Sequence, residues 1–101
     1  MKDKIIGIII QSLNSLNEEW NNPSLEHIDV NTRIYGSGGN VDSLGLVTLI
    51  TDLEERLTSD FLRDIVLADE KAMSQQNSPF RSVESLSNYI EHLIQSETRN
   101  V

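Results

Sequence analysis

An all-α fold is predicted by two features of this chain. Apolar residues recur at helical spacing in three separate segments. Asn, Pro and Gly cluster between those segments, and no convincing strand pattern competes, Ile65-Val66-Leu67 being too short to demand a sheet. The expected architecture is a small bundle of three main helices plus one short helix, with a long first loop. A chain of 101 residues is most simply one domain, here spanning residues 1–101.

In the first helix Ile6, Ile9, Ile10, Leu13 and Leu16 share a face, and the helix is expected to end near Asn17. Asn21-Asn22-Pro23-Ser24 then punctuates the chain, and a long connection runs to Gly39. It carries Leu25, Ile28, Val30, Ile34 and Tyr35, so it should lie over the core. The second helix starts at Asp42 or Ser43 and reaches Leu57 or Thr58, burying Leu46, Leu49, Ile50, Leu53 and Leu57. The third runs from Ser82, its expected N-cap, to about Ile94, with Val83, Leu86, Tyr89, Ile90 and Leu93 on one side. A short helical piece is expected over Asp69–Gln75, and a frayed tail after Gln95.

Composition excludes several functions. The net charge of −8 and the lack of a Lys/Arg stripe argue against nucleic acid and favour partners with basic patches. Without cysteine there is no disulfide framework, thiolate metal site or cysteine nucleophile. The apolar run Ile5–Ile10 is far too short to span a bilayer and lacks a signal-peptide cleavage pattern, so the expected location is cytoplasmic. Enzymatic activity is not expected either. The two histidines, His27 and His92, stand in no sequence context that pairs them with a nucleophilic serine, and no phosphate-binding loop or metal motif is present.

Attention falls on GSGGNVDSLGLVTLI, Gly36–Ile50, where a glycine cluster runs into the second helix. Ser43 there has two readings, a helix N-cap or a site of attachment. At about 100° per residue, Leu44, Thr48, Thr51 and Glu55 form a stripe opposite the core face. Val47 and Glu54 lie on the shoulder nearest Ser43, and Asp52 on the other. An outward Leu beside a serine at a helix start, above an acidic rim, looks like a docking surface.

Asp42-Ser43-Leu44 opening an amphipathic acidic helix resembles the attachment motif of the acyl carrier proteins. The resemblance covers most of the chain: the Ile-rich first helix, the long loop, the motif helix ending in DLEERL, a short third helix and SVESLSNYI follow in the family's order. It implies that a phosphopantetheinyl transferase attaches the 4′-phosphopantetheine of coenzyme A to Ser43 through a phosphodiester. Asp42 would help engage that transferase and its Mg²⁺. Leu44 and Val47 would supply apolar contacts, and Glu54 and Glu55 would meet basic patches on the loading and transferring enzymes. The implied protein is a free-standing monomeric carrier of thioesters.

This chain departs from the family in Gly45 and Thr48, where acidic residues are frequent, and in Arg56, which interrupts the acidic run. Gly45 costs about 0.5–1 kcal/mol relative to Ala, which would loosen the helix start. The Gly36–Gly39 run and the length of Thr58–Arg81 are also atypical. These features point to a specialised carrier, in a polysaccharide, lipid or secondary-metabolite pathway. The alternatives are an aminoacyl (for instance alanyl) carrier and an unmodified acidic helical interaction module.

Overall fold

The computed structural model describes residues 2–36, 38–62, 67 and 79–99, with side chains as far as residue 95. Within them the chain is all-helical, with α1 at Lys2–Trp20, α2 at Ser43–Phe61 and α3 at Val83–Arg99. Two 3₁₀ turns, Pro23–Leu25 and Pro79–Arg81, lead out of α1 and into α3. The short helix expected over Asp69–Gln75 lies outside the described residues.

All three helices run further than expected. Helix α1 continues past Asn17 to Trp20 and stops where Asn21 turns left-handed at φ 53°. Asparagine tolerates that conformation, and its N–H still reaches the Asn17 carbonyl at 2.8 Å. Helix α2 continues to Phe61, one turn beyond Leu57, with Leu62 left-handed after it. Phe61 is half-buried and holds the Lys4 ammonium 5.2 Å from its ring centre. Helix α3 passes Ile94 and stays helical to Arg99, so the tail expected to fray after Gln95 is helical over residues 96–99, its remainder lying outside the described residues.

The core forms where these helices meet, with α1 packed against both α2 and α3. Ile5, Ile9 and Leu13 meet Leu46, Leu49, Leu53 and Leu57 of α2 and Val83, Leu86 and Ile90 of α3 in one apolar cluster. The buried face of α1 is turned from the expected one: Ile5 and Ile8 are buried, whereas Ile6, Ile10 and Leu16 are only partly so. Five isoleucines between positions 5 and 10 give little contrast from which to read a rotation. Phe80 is fully buried and meets the ring of Tyr89 edge-on, with centroids 6.2 Å apart.

The first loop covers this core, burying Leu25 and Ile34 completely. Its far half runs antiparallel to the entry of α3. Ile34 N–H donates to the Arg81 carbonyl at 2.8 Å, Tyr35 N–H to Phe80 at 3.0 Å and Val83 N–H to Thr32 at 3.1 Å. Ser82 caps α3 as expected. Its Oγ accepts from Ser85 N–H at 3.2 Å, and Ser85 Oγ accepts in return from Ser82 N–H at 3.0 Å.

Among the described residues two polar side chains, Ser12 and Ser87, are buried with the apolar cluster, and both are satisfied. Ser12 donates to the Asp52 carboxylate, which also pairs with Arg56 Nε at 2.6 Å. Ser87 donates to the Glu84 carbonyl at 2.7 Å. Among the described residues, no helix is long and apolar enough to cross a membrane.

The fully buried Leu53 tests the packing. Leu53→Ala should cost about 2–5 kcal/mol, seen as a lower urea midpoint with an unchanged slope.

Candidate functional site

The start of α2 assigns the cap to Asp42 and leaves Ser43 without that duty. Asp42 is extended, at φ −83° and ψ −179°, and its Oδ1 accepts from Gly45 N–H at 2.7 Å. Its carbonyl takes the first helical bond, from Leu46 N–H at 2.8 Å. Ser43 is therefore the first helical residue, and its side chain is exposed. The cap reading of Ser43 gives way for a geometric reason, since the residue before it already satisfies the amide that a cap would bind.

The partner of the Ser43 hydroxyl is Tyr35, whose phenolic oxygen stands 3.2 Å from Ser43 Oγ. Tyr35 is half-buried, and its backbone is held from both sides. On one side is the pairing with Phe80; on the other, Ile34 carbonyl accepts from Val41 N–H at 2.8 Å. The turn between Tyr35 and α2 closes through Gly39 N–H to the Gly36 carbonyl at 2.9 Å. A Cβ at Gly39 would come within 2.7 Å of the Ile34 carbonyl oxygen, so no larger residue fits that turn as built. Both histidines, His27 and His92, are exposed.

The outward stripe lies where the periodicity places it. Leu44 is 76% exposed and Val47 52%, and Thr48, Thr51 and Glu55 are exposed beside them. Thr48 donates to the Leu44 carbonyl at 3.2 Å and Thr51 to the Val47 carbonyl at 3.0 Å. Both threonine hydroxyls are thus turned back onto the helix. That makes this surface less polar than its sequence suggests.

The acidic residues of α2 divide by role. Glu55 is exposed on the stripe. Glu54 is half-buried, and its Oε2 accepts from the backbone N–H of Leu67 at 2.8 Å, which ties Leu67 against α2. Asp52 faces α1 through Ser12. Among the described residues no group of three or more His, Cys, Asp or Glu is arranged to hold a metal ion.

On the α1 side of Ser43 lies a groove of about 560 Å³, between the end of α1 and the start of α2. Trp20, Val41, Leu44 and Gly45 are among the residues lining it. Gly45 is buried, and a Cβ there would lie 2.8 Å from Val41 Cγ1 and 3.4 Å from the Trp20 ring. Its small size is a packing requirement of this corner, offsetting the helix-propensity cost inferred from sequence. Tyr35 and Trp20 are the site residues that sequence reasoning missed. The aromatic side chain of each was the available signal, but it reads equally well as core.

Comparison with family models, with curated proteins and with solved structures finds no match. The reading of the site therefore rests on its geometry and on the resemblance of its motif.

Two substitutions separate capping from exposure. Asp42→Ala should cost about 0.5–2 kcal/mol, whereas Ser43→Ala should stay within about 0.5 kcal/mol of the parent. Equal losses in urea denaturation would return the cap to Ser43. Gly45→Ala should also destabilise, by about 1–3 kcal/mol in the same assay, because the stiff β-branched Val41 cannot readily swing away.

Proposed function

We propose that this protein is a free-standing carrier, modified on Ser43 with 4′-phosphopantetheine and presenting acyl groups as thioesters to other enzymes. The observation that carries the reading is the exposed Ser43 hydroxyl at the first position of a 19-residue helix, relieved of capping by Asp42. A serine in this setting fits the group. Its oxygen is accessible, and a phosphodiester there would sit at the positive end of the helix dipole, near the backbone N–H groups of Ser43 and Leu44. When attached, the arm supplies the thiol that this cysteine-free chain lacks.

Each neighbouring residue has a part in this reading. Leu44 and Val47 form the apolar contact for the phosphopantetheinyl transferase and for the acyl-loading and acyl-transferring enzymes. Glu55 is the exposed carboxylate that meets their basic patches. Asp42 holds the helix start and presents its carboxylate beside the serine for the transferase and its Mg²⁺. Glu54, one oxygen of which is bonded to Leu67 N–H, is the second carboxylate for those patches. The proposed complete fold is a small bundle in which a short helix over Asp69–Gln75 joins the three main ones. The protein acts as a cytoplasmic monomer in a specialised acyl pathway.

An unmodified interaction module would use the same Leu44 and Val47 surface but would not need the Ser43 hydroxyl. With coenzyme A and a promiscuous transferase, the parent chain should gain one phosphopantetheinyl group by mass spectrometry, and Ser43→Ala none. Leu44→Ala should load with a raised KM for the carrier and a similar kcat. Loading that survives in Ser43→Ala, or a parent chain refused by several transferases, would sink the carrier reading.

A further inference from the structure

We propose that Tyr35 is a binding residue for the phosphodiester on Ser43, its phenol donating a hydrogen bond to an oxygen of that group. The inference rests on the carrier reading and adds a residue that the Asp42-Ser43-Leu44 motif does not contain. Its basis is the distance of 3.2 Å between the Tyr35 and Ser43 hydroxyl oxygens. That is long for a hydroxyl pair, whose usual separation is about 2.7–2.8 Å, so the unmodified contact is weak and easily released.

Modification changes what the phenol faces. Loading forms the Ser43 Oγ–phosphorus bond, breaks the pyrophosphate P–O bond of coenzyme A and releases adenosine 3′,5′-bisphosphate. The Oγ proton passes to a base of the transferase. The weak hydroxyl acceptor is thereby joined by anionic phosphate oxygens two bonds beyond Oγ, which take shorter and stronger hydrogen bonds. The immediate neighbour Asp42 is acidic, so a neutral donor is useful beside an added anion. Tyr35 is held in place to act as one. Its own N–H bonds the Phe80 carbonyl at 3.0 Å, and the adjoining Ile34 carbonyl bonds Val41 N–H at 2.8 Å. The Tyr35 backbone is thus held between the entry of α3 and the start of α2, so binding the phosphodiester requires reordering of the side chain only.

The test uses the full chain with tyrosine carbon-13 labelled at the ring ζ position, loaded from coenzyme A by a promiscuous transferase and checked by mass. Tyr89, whose hydroxyl donates to the Leu67 carbonyl at 3.2 Å, serves as the internal reference. On loading, the Tyr35 ζ-carbon resonance should shift while that of Tyr89 stays in place. The phosphorus-31 resonance of loaded Tyr35→Phe should be displaced from the parent position, and that of loaded Tyr89→Phe should coincide with it. An unmoved Tyr35 ζ-carbon in the loaded parent, or coincident phosphorus lines in the parent and Tyr35→Phe, overturns the inference and leaves the carrier reading standing. If Tyr35→Phe does not fold, the ζ-carbon shift in the parent decides alone. A parent chain that gains no mass defeats the carrier reading itself, which is a separate result.

Discussion

The hydrogen bond from Gly45 N–H to the Asp42 carboxylate is the constraint on which the site depends. It fixes the residue at which α2 begins, and a helix fixed at its start is fixed in rotation along its length. With Ser43 as the first helical residue, Leu46, Leu49, Leu53 and Leu57 face the core, and Leu44 and Val47 face solvent. A shift of one residue would turn the helix by about 100° and expose part of that buried face. The cap and the core thus specify the same register. Their agreement leaves the Ser43 hydroxyl outside both roles.

A second set of contacts brings that hydroxyl a partner. The first loop pairs with the entry of α3 around Arg33 and Ser82, and Val41 returns a bond to Ile34 just before α2. Residues 33–35 thereby link the entry of α3 to the start of α2, and Tyr35 stands beside Ser43. The turn between Tyr35 and Asp42 is compact because Gly39 brings the backbone closer to Ile34 than any Cβ would allow. On the opposite flank Gly45 lets Val41 and Trp20 close over the helix start. Glycines that look like looseness in the sequence allow tight approach in the fold.

What could be read from sequence follows from where the physical signal is local. The α2 face was legible because leucines and an isoleucine contrast sharply with threonines and acids around it. The Ser82 cap was legible because Pro79 breaks the chain before it. The rotation of α1 was not, since isoleucine occupies nearly every position from 5 to 10. Trp20 and Phe61 extend the apolar repeats of α1 and α2 by one step from Leu16 and Leu57, a signal the expected helix ends left out, whereas Arg99 lies beyond the last apolar residue of α3. Ser43 stood out through its motif, and the exposed Leu44, Thr48, Thr51 and Glu55, with Val47 on the shoulder of their stripe, were legible from periodicity. The Glu54 bond to Leu67 and the Tyr35 contact with Ser43 were not, because both depend on how separate segments come together. Choosing between Asp42 and Ser43 as the cap needed backbone geometry, since both residue types cap helices well.

The central claim is that a serine relieved of structural duty at the head of α2 is the point of attachment. The most direct measurement is intact-mass analysis of the chain recovered from its native host, followed by fragment mapping of any added group. One phosphopantetheinyl group per chain, alone or bearing its cargo, is expected on Ser43. A chain recovered unmodified, or one carrying the group on another residue, would contradict the claim.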